Sequence, residues 1–322
     1  MSDTTPDPVS PDDLERELVY ALACSRNTAQ WFAARGSGLY HSLDGGVSWD
    51  YLFASLNLES PLPATSVVLS PDYDGAEHGE LYAGVPGGVL RSTDAGATWF
   101  ASILDAPPPA VSAMVISPSY VEDGVVLAAT TEDGIFRSAS RGSQWVRWNF
   151  GLLDLTVFCL EISPGFAEDE TLFAGVESGI FRSTNGGRAW REVDLSVGFE
   201  PVISLALSPS YPEDGIIFAG TETQGLYVST DDGMSWTRLG ADAIVGPINS
   251  IVVSPGLTDR PDILVLSDEA LLLSRDGGAI WSKVERAPEG MSAVLAPKGL
   301  VPRSPLLIGL VNGDVVCLAL DS

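Results

Sequence analysis

Positive charge is scarce in this chain: 17 lysines and arginines stand against 43 aspartates and glutamates in 322 residues, a formal charge of −26. That deficit argues against nucleic acid or an anionic membrane as partner, because both are held by lysine and arginine. Basic partners and cations stay open. Histidine is nearly missing, with only His41 and His78, which excludes a Ser-His-Asp relay and a histidine zinc site. Three cysteines, Cys24, Cys159 and Cys317, lie far apart among apolar neighbours without a CxxC pair, and are expected to be buried free thiols. No apolar run approaches the ~18 residues of a membrane span. The acidic stretch from Met1 to Glu17 lacks the basic and apolar blocks of a secretory signal, so a flexible tail over 1–17 and a cytoplasmic location are expected. Glycine pairs such as Gly87-Gly88 precede no helix that would receive a phosphate, and Glu168-Asp169-Glu170 lacks the alternating ligand spacing of a calcium loop. No cofactor and no metal are expected.

Repetition is what the chain has in abundance. Six segments align without gaps: Gly38 to Trp49, Gly88 to Trp99, Gly134 to Trp145, Gly179 to Trp190, Gly225 to Trp236 and Ala270 to Trp281. Their closing tryptophans are 50, 46, 45, 46 and 45 residues apart. A second motif recurs in the same phase, at Ser70-Pro71, Ser117-Pro118, Ser163-Pro164, Ser208-Pro209 and Ser254-Pro255, mostly followed by an aromatic residue and acids. Each period holds four short β-prone runs separated by turn clusters, and no segment carries the 3.6-residue period of a long helix. In the third period the runs are Val111 to Ser117, Val125 to Thr130, Gly134 to Ala139 and Gln144 to Trp148. Four antiparallel strands per ~45 residues make the blade of a propeller. The expected architecture is all-β: one seven-bladed β-propeller over 18–322, with four-stranded antiparallel blades starting near 18, 65, 111, 157, 202, 248 and 292. The seventh blade lacks both the tryptophan motif and a clear fourth strand, so either the N-terminal segment completes it or it keeps three.

The pattern Ser-x-Asp-x-Gly-x-x-Trp resembles the Asp-box, or BNR repeat, of sialidases, sortilin and the photosystem II assembly factor family. That resemblance implies a propeller with structural boxes between the third and fourth strands, at the periphery. Asp44, Asp94, Asp231 and Asp276 are then acceptors for turn amides, Asn185 and Ser140 are departures from the pattern, and Trp49, Trp99, Trp145, Trp190, Trp236 and Trp281 cover the turns and fill space between blades. A carboxylate repeated in nearly every blade is architecture; a catalytic group occurs once per site.

In a propeller the loops from one blade to the next, and from second to third strand within a blade, ring the mouth of the central channel. Non-repeated residues there are the functional candidates. Thirteen acids fall in them: Glu59, Asp105, Glu132, Asp133, Asp154, Glu177, Asp194, Glu200, Glu222, Asp242, Asp268, Glu269 and Glu289, against Arg35 and Arg286 only. The resemblance to sialidases implies three substrate-binding arginines and a tyrosine nucleophile at the mouth; neither is found there, since Arg91, Arg137 and Arg182 share one repeat position on third strands. The expected function is a non-catalytic protein-interaction or assembly scaffold that binds a protein or peptide partner, of basic character, or serves as a subunit of a larger assembly. The alternative is a glycoside hydrolase or carbohydrate-binding protein whose carboxylates come from Asp154, Asp194 and Glu200.

Overall fold

The computed structural model describes residues 17–75, 78–105, 107–255, 260–268 and 270–320. The expected tail, any N-terminal closure of the seventh blade, the Gly256-Leu257 part of one Ser-Pro motif and Glu269 lie outside the described residues. Seven antiparallel sheets succeed one another along the chain and close into a ring, a seven-bladed β-propeller. Six blades have four strands and the seventh has three among the described residues. The innermost strands are Val19–Cys24, Ser66–Leu69, Val111–Ile116, Val157–Ile162, Val202–Leu207, Ile248–Ser254 and Met291–Leu295. Fourth strands are short; that of blade 3 is only Val146–Arg147.

Near-continuous apolar runs explain why the second strands pack on both faces. The second strands Leu81–Val85, Leu172–Val176 and Ile217–Thr221 are buried throughout, since each blade has a neighbour on either side. Leu127, Ala129, Leu160, Leu172, Ala174 and Phe181 fill one such junction, between blades 3 and 4. Inner strands approach the preceding blade so closely that a side chain is excluded there. A Cβ on Gly84 would lie 2.5 Å from Val111 Cγ1, and one on Gly309 would lie 2.5 Å from Val19 Cγ1.

A relay of hydroxyls stitches the ring at its inner edge. Thr65 donates to the Val111 carbonyl at 2.6 Å, Ser112 to Val157 at 2.5 Å, Ser204 to Ile248 at 2.6 Å and Ser292 to Val19 at 2.8 Å. Cys159 takes the same role between blades 4 and 5, its thiol 3.6 Å from the Val202 carbonyl. The last of the hydroxyl bonds closes the ring between blades 7 and 1. Each is worth about 1 kcal/mol net, and all act on inter-blade contacts.

Local hydrogen bonds hold the Ser-x-Asp turns. Asp94 accepts from the Ser92 hydroxyl, the Thr98 amide and the Thr98 hydroxyl at 2.8, 2.8 and 2.6 Å. Equivalent bonds, led by the Ser48 hydroxyl, hold the Asp44 carboxyl down to about 2. Asn185 keeps the Ser183 and Ala189 bonds, while Ser140 reaches only Ser138 and Gln144. Five of the six motif tryptophans divide into two groups. Trp99 and Trp190 donate to carbonyls of the preceding blade, at Leu52 and Trp148, whereas Trp145, Trp236 and Trp281 bond to their own turn glycines.

One expectation is corrected. The cysteines are free, but Cys24 and Cys159 are half-buried and Cys317 is exposed. Cys24 belongs to a channel-lining strand, and Cys317 lies on the third strand of blade 7, Val315–Ala319, where no fourth strand among the described residues covers it. The acidic segments after the Ser-Pro motifs wind into single helical turns at Tyr120–Asp123, Phe166–Asp169 and Tyr211–Asp214. In each, the first residue is a buried aromatic that pins the turn to the blade. The last acid accepts from the motif serine, as Asp123 does from Ser117 at 2.6 Å.

Candidate functional site at the blade 4 mouth

Three mouth segments converge above blade 4: the loop 149–155 entering it, the turn at 177–178 within it, and the loop 194–201 leaving it. Asn149 shapes the first. Its side chain accepts the Ile135 amide at 2.8 Å and donates to the Asp133 carbonyl at 2.7 Å. Gly151, at a φ of +80°, then passes so close to the Trp190 carbonyl that a Cβ would sit 2.2 Å from it. Buried Leu152 anchors the loop, which turns its neighbours Phe150 and Leu153 outward at 80% and 81% exposure. In the third segment Leu195 is buried, Ser196 adopts a φ of 61°, and Phe199 stands out at 72% exposure.

The candidate carboxylates are placed differently from one another. Asp154 accepts the Thr156 amide at 3.0 Å and the Ser178 amide at 2.8 Å, tying the entering loop to the turn. Glu200 is buried and accepts the Thr223 amide at 2.6 Å, the Thr223 hydroxyl and the Gln224 amide at 3.1 Å, so it braces the neighbouring blade's turn. Asp194 accepts only the adjacent Ser196 amide at 2.7 Å and is exposed. Asp154 lines a hollow of about 460 Å³ with Leu153, Glu177, Glu192 and Phe199. Asp194 lines a second, of about 210 Å³, that shares Ser178, Glu192 and Phe199 with the first. It also lines a peripheral groove of about 660 Å³ that runs past Phe150, Arg182, Arg191 and Met234. Asp154 and Asp194 therefore border adjoining hollows, and Glu200 borders none of these.

Reading the sequence by loops overlooked two contributors. Glu192 lies on the short outer strand Arg191–Val193, yet its side chain lines all three spaces. Arg147 lies on an outer strand as well, but reaches the mouth and pairs with Asp105 and, at 2.9 Å, with Asp133. Arg35, counted as a mouth base, is stacked 4.5 Å over the Tyr40 ring and 5.2 Å from that of Trp49. The mouth is divided: Asp105 and Asp133 pair with Arg147, whereas among the described residues no ion pair reaches Asp154, Glu177, Glu192 or Asp194. Among the described residues no group of three histidine, cysteine or acidic side chains is arranged to hold a metal.

No family model matches the chain, and no curated protein matches it. Solved structures do. The GH74 xyloglucanase from Xanthomonas campestris superposes with a TM-score of 0.69 at 15% identity, over 92% of this chain and 51% of that one. An ancestral GH74 enzyme gives 0.67 at 17% identity, over 96% of this chain and 45% of that one. YCF48 bound to D1 peptide gives 0.68 at 18% identity, over 95% of this chain and 93% of that one. This chain spans about half the length of the xyloglucanase. At such identities the likeness shows the fold alone, a seven-bladed β-propeller.

Proposed function

We propose that the chain is a non-catalytic interaction propeller that binds a protein or peptide through the mouth of blade 4. The observation that carries this reading is the company of exposed Phe150, Leu153 and Phe199 with the carboxylates Asp154, Glu177, Glu192 and Asp194 around connected hollows. Exposed apolar side chains gathered in one place mark an interaction surface. Unmatched carboxylates around them favour a segment carrying arginine or lysine beside an apolar anchor, and they speed its arrival. Asp154 makes a poor catalyst, as does Glu200 outside these hollows, because both are engaged by backbone amides that hold loops. Similarity to YCF48 bound to D1 peptide over nearly the full length of both chains supports the peptide reading.

A glycoside hydrolase is the second reading, favoured by the GH74 neighbours and by Phe150 and Phe199 beside the Asp194 carboxylate. Affinity capture with the intact chain, followed by binding of the captured segment to a Phe150→Ser, Leu153→Ser, Phe199→Ser triple variant, separates the two. The scaffold reading expects a partner with basic residues, binding lost at least tenfold in the variant, and weakening as salt shortens the Debye length to ~8 Å or less. Turnover of a polysaccharide or aryl glycoside that disappears in Asp194→Asn establishes the hydrolase instead.

A further inference from the structure

The seven inner strands carry one charged side chain among them, Glu161. Its register is unambiguous. Glu161 pairs across the sheet with Phe173, as Ala23 pairs with Phe32, Val68 with Tyr82, Val115 with Leu127, Ala206 with Phe218, Val252 with Leu264 and Leu295 with Leu307. One level of the channel wall is therefore a ring of six apolar residues and a single glutamate. Most residues of that ring, Glu161 included, are half-buried although they sit at the centre of the molecule, so what they are open to is the channel. One residue further down, Leu69, Ile116, Ile162, Leu207 and Val253 form a second apolar level. Below it lies a hollow of about 340 Å³ lined by Cys24, Arg26, Leu69, Ser70, Pro71 and Pro118.

Among the described residues no hydrogen bond and no ion pair reaches the Glu161 carboxyl. The strands packed against it, Val111–Ile116, Leu172–Val176 and Val202–Leu207, bear no charged group, and the one titratable neighbour is the Cys159 thiol on its own strand. A carboxylate abandoned in apolar surroundings is costly, and the site answers by staying protonated: burial pushes Glu161 up to about 8. The wall offers a charge only to something that brings its own. A divalent metal is a poor candidate, because Ca²⁺ or Mg²⁺ asks for six or more oxygens and this level supplies one carboxyl. A monovalent organic cation needs one counter-charge and gains from apolar walls.

We propose that the axial channel is a binding site for a small protonated amine with an apolar body, held by Glu161 as its counter-ion, with the body lying along the apolar levels toward the Cys24 side. The site is distinct from the blade 4 mouth. Because an alkylamine, like lysine, stays charged below about pH 10, the proton that limits binding is the one on Glu161. Binding of the ammonium expels it into solvent, and affinity rises about tenfold per pH unit until the free carboxyl is itself ionised.

The test is calorimetric titration of the full chain with n-hexylamine between pH 6 and 9, beside n-hexanol and hexanoate and with Glu161→Gln and Glu161→Val in parallel. The proposal expects an affinity that climbs about tenfold from pH 6 to pH 7 and levels off above pH 8, at least tenfold weaker binding of hexanol, no binding of hexanoate, and loss of the amine in both variants. Glu161→Val restores the residue type of the other six blades, so it keeps the test informative if the glutamine variant folds poorly. Amine binding that is unchanged in either variant, as attraction to the acidic surface alone would give, overturns it. So does hexanol binding as tightly as the amine, or an affinity that ignores pH.

Discussion

The junction of blades 2 and 3 and the channel wall of blade 4 each bury a glutamate, and they treat it in opposite ways. Glu80 enters the junction 7% exposed and meets four donors: Arg91 Nε at 2.5 Å, Tyr120 at 2.6 Å, Tyr82 at 2.8 Å and Arg141 at 3.1 Å. Burial alone would raise its pKa, but the hydrogen bonds from Arg91, Tyr120, Tyr82 and Arg141 outweigh it and hold the carboxyl below its usual range. Glu161 meets no donor and goes the other way, to about 8. Burial therefore says little about what a carboxylate is for until its donors are counted. Four donors around a junction glutamate describe a brace, and a channel glutamate with no donor among the described residues is free to serve as the counter-charge proposed above.

Removing each glutamate sharpens the contrast, because the two changes have opposite signs. Glu80→Ala leaves Arg91 partly buried without its anion and takes from Tyr82 and Tyr120 the acceptor they share, leaving each only the other's hydroxyl, so it is expected to cost about 3–5 kcal/mol in chemical denaturation. The brace is also pH-dependent. A carboxyl with a lowered folded-state pKa stabilises above its unfolded pKa, and wild type is expected to lose this advantage over the variant as pH falls through the folded value. Glu161→Val works the other way. Both states are neutral near pH 4, so little changes there. Between the unfolded value and about 8 the unfolded chain ionises and the folded one does not, which makes the wild-type residue a growing liability. The valine variant is expected to gain about 2–4 kcal/mol at pH 9 and nearly nothing at pH 4. Equal effects at both pH values would remove the basis for treating the channel glutamate as unpartnered. At the mouth, Phe199→Ser is expected to shift stability by less than about 0.5 kcal/mol while weakening partner capture, since its ring is solvent-exposed.

How legible these regions are in sequence follows from what repeats. The ring is readable because a tryptophan returns every 45 to 50 residues and a Ser-Pro in phase with it, and both are local signals. The brace at Glu80 is much less so, because its donors come from residues 82, 91, 120 and 141, and no spacing rule links them. Glu192 and Arg147 escape a count by loops because a short outer strand lets its side chains reach the mouth. Glu161 is different again. Nothing marks it as a lone acid in an apolar run, but once the inner strands are aligned on their closing serines it stands where six other repeats have alanine, valine or leucine. The signal was present and needed the register to be read. Asp154, Asp194 and Glu200 are alike in sequence, and only their donors separate two loop braces from an exposed carboxylate.

The smallest effect expected concerns a turn that departs from the repeat. In blade 2, Asp94 gathers the Ser92 hydroxyl and both polar groups of Thr98, whereas in blade 3 Ser140 has one oxygen for the same work and bonds only Ser138 and Gln144. Ser140→Asp supplies the second acceptor, and Gln144 lacks the hydroxyl that Thr98 offers, so the gain should come from the backbone amides alone. A few tenths of a kcal/mol is the expected increase, and Ser140→Asp with Gln144→Thr should add to it as a pair by more than the sum of the two changes. Because the same turn positions Arg141 against Glu80, the single variant made in a Glu80→Ala background separates the turn's own contribution from its effect on the brace. If the gain persists undiminished there, turn and brace act independently; if it vanishes, the turn stabilises the protein chiefly by presenting Arg141 to the junction.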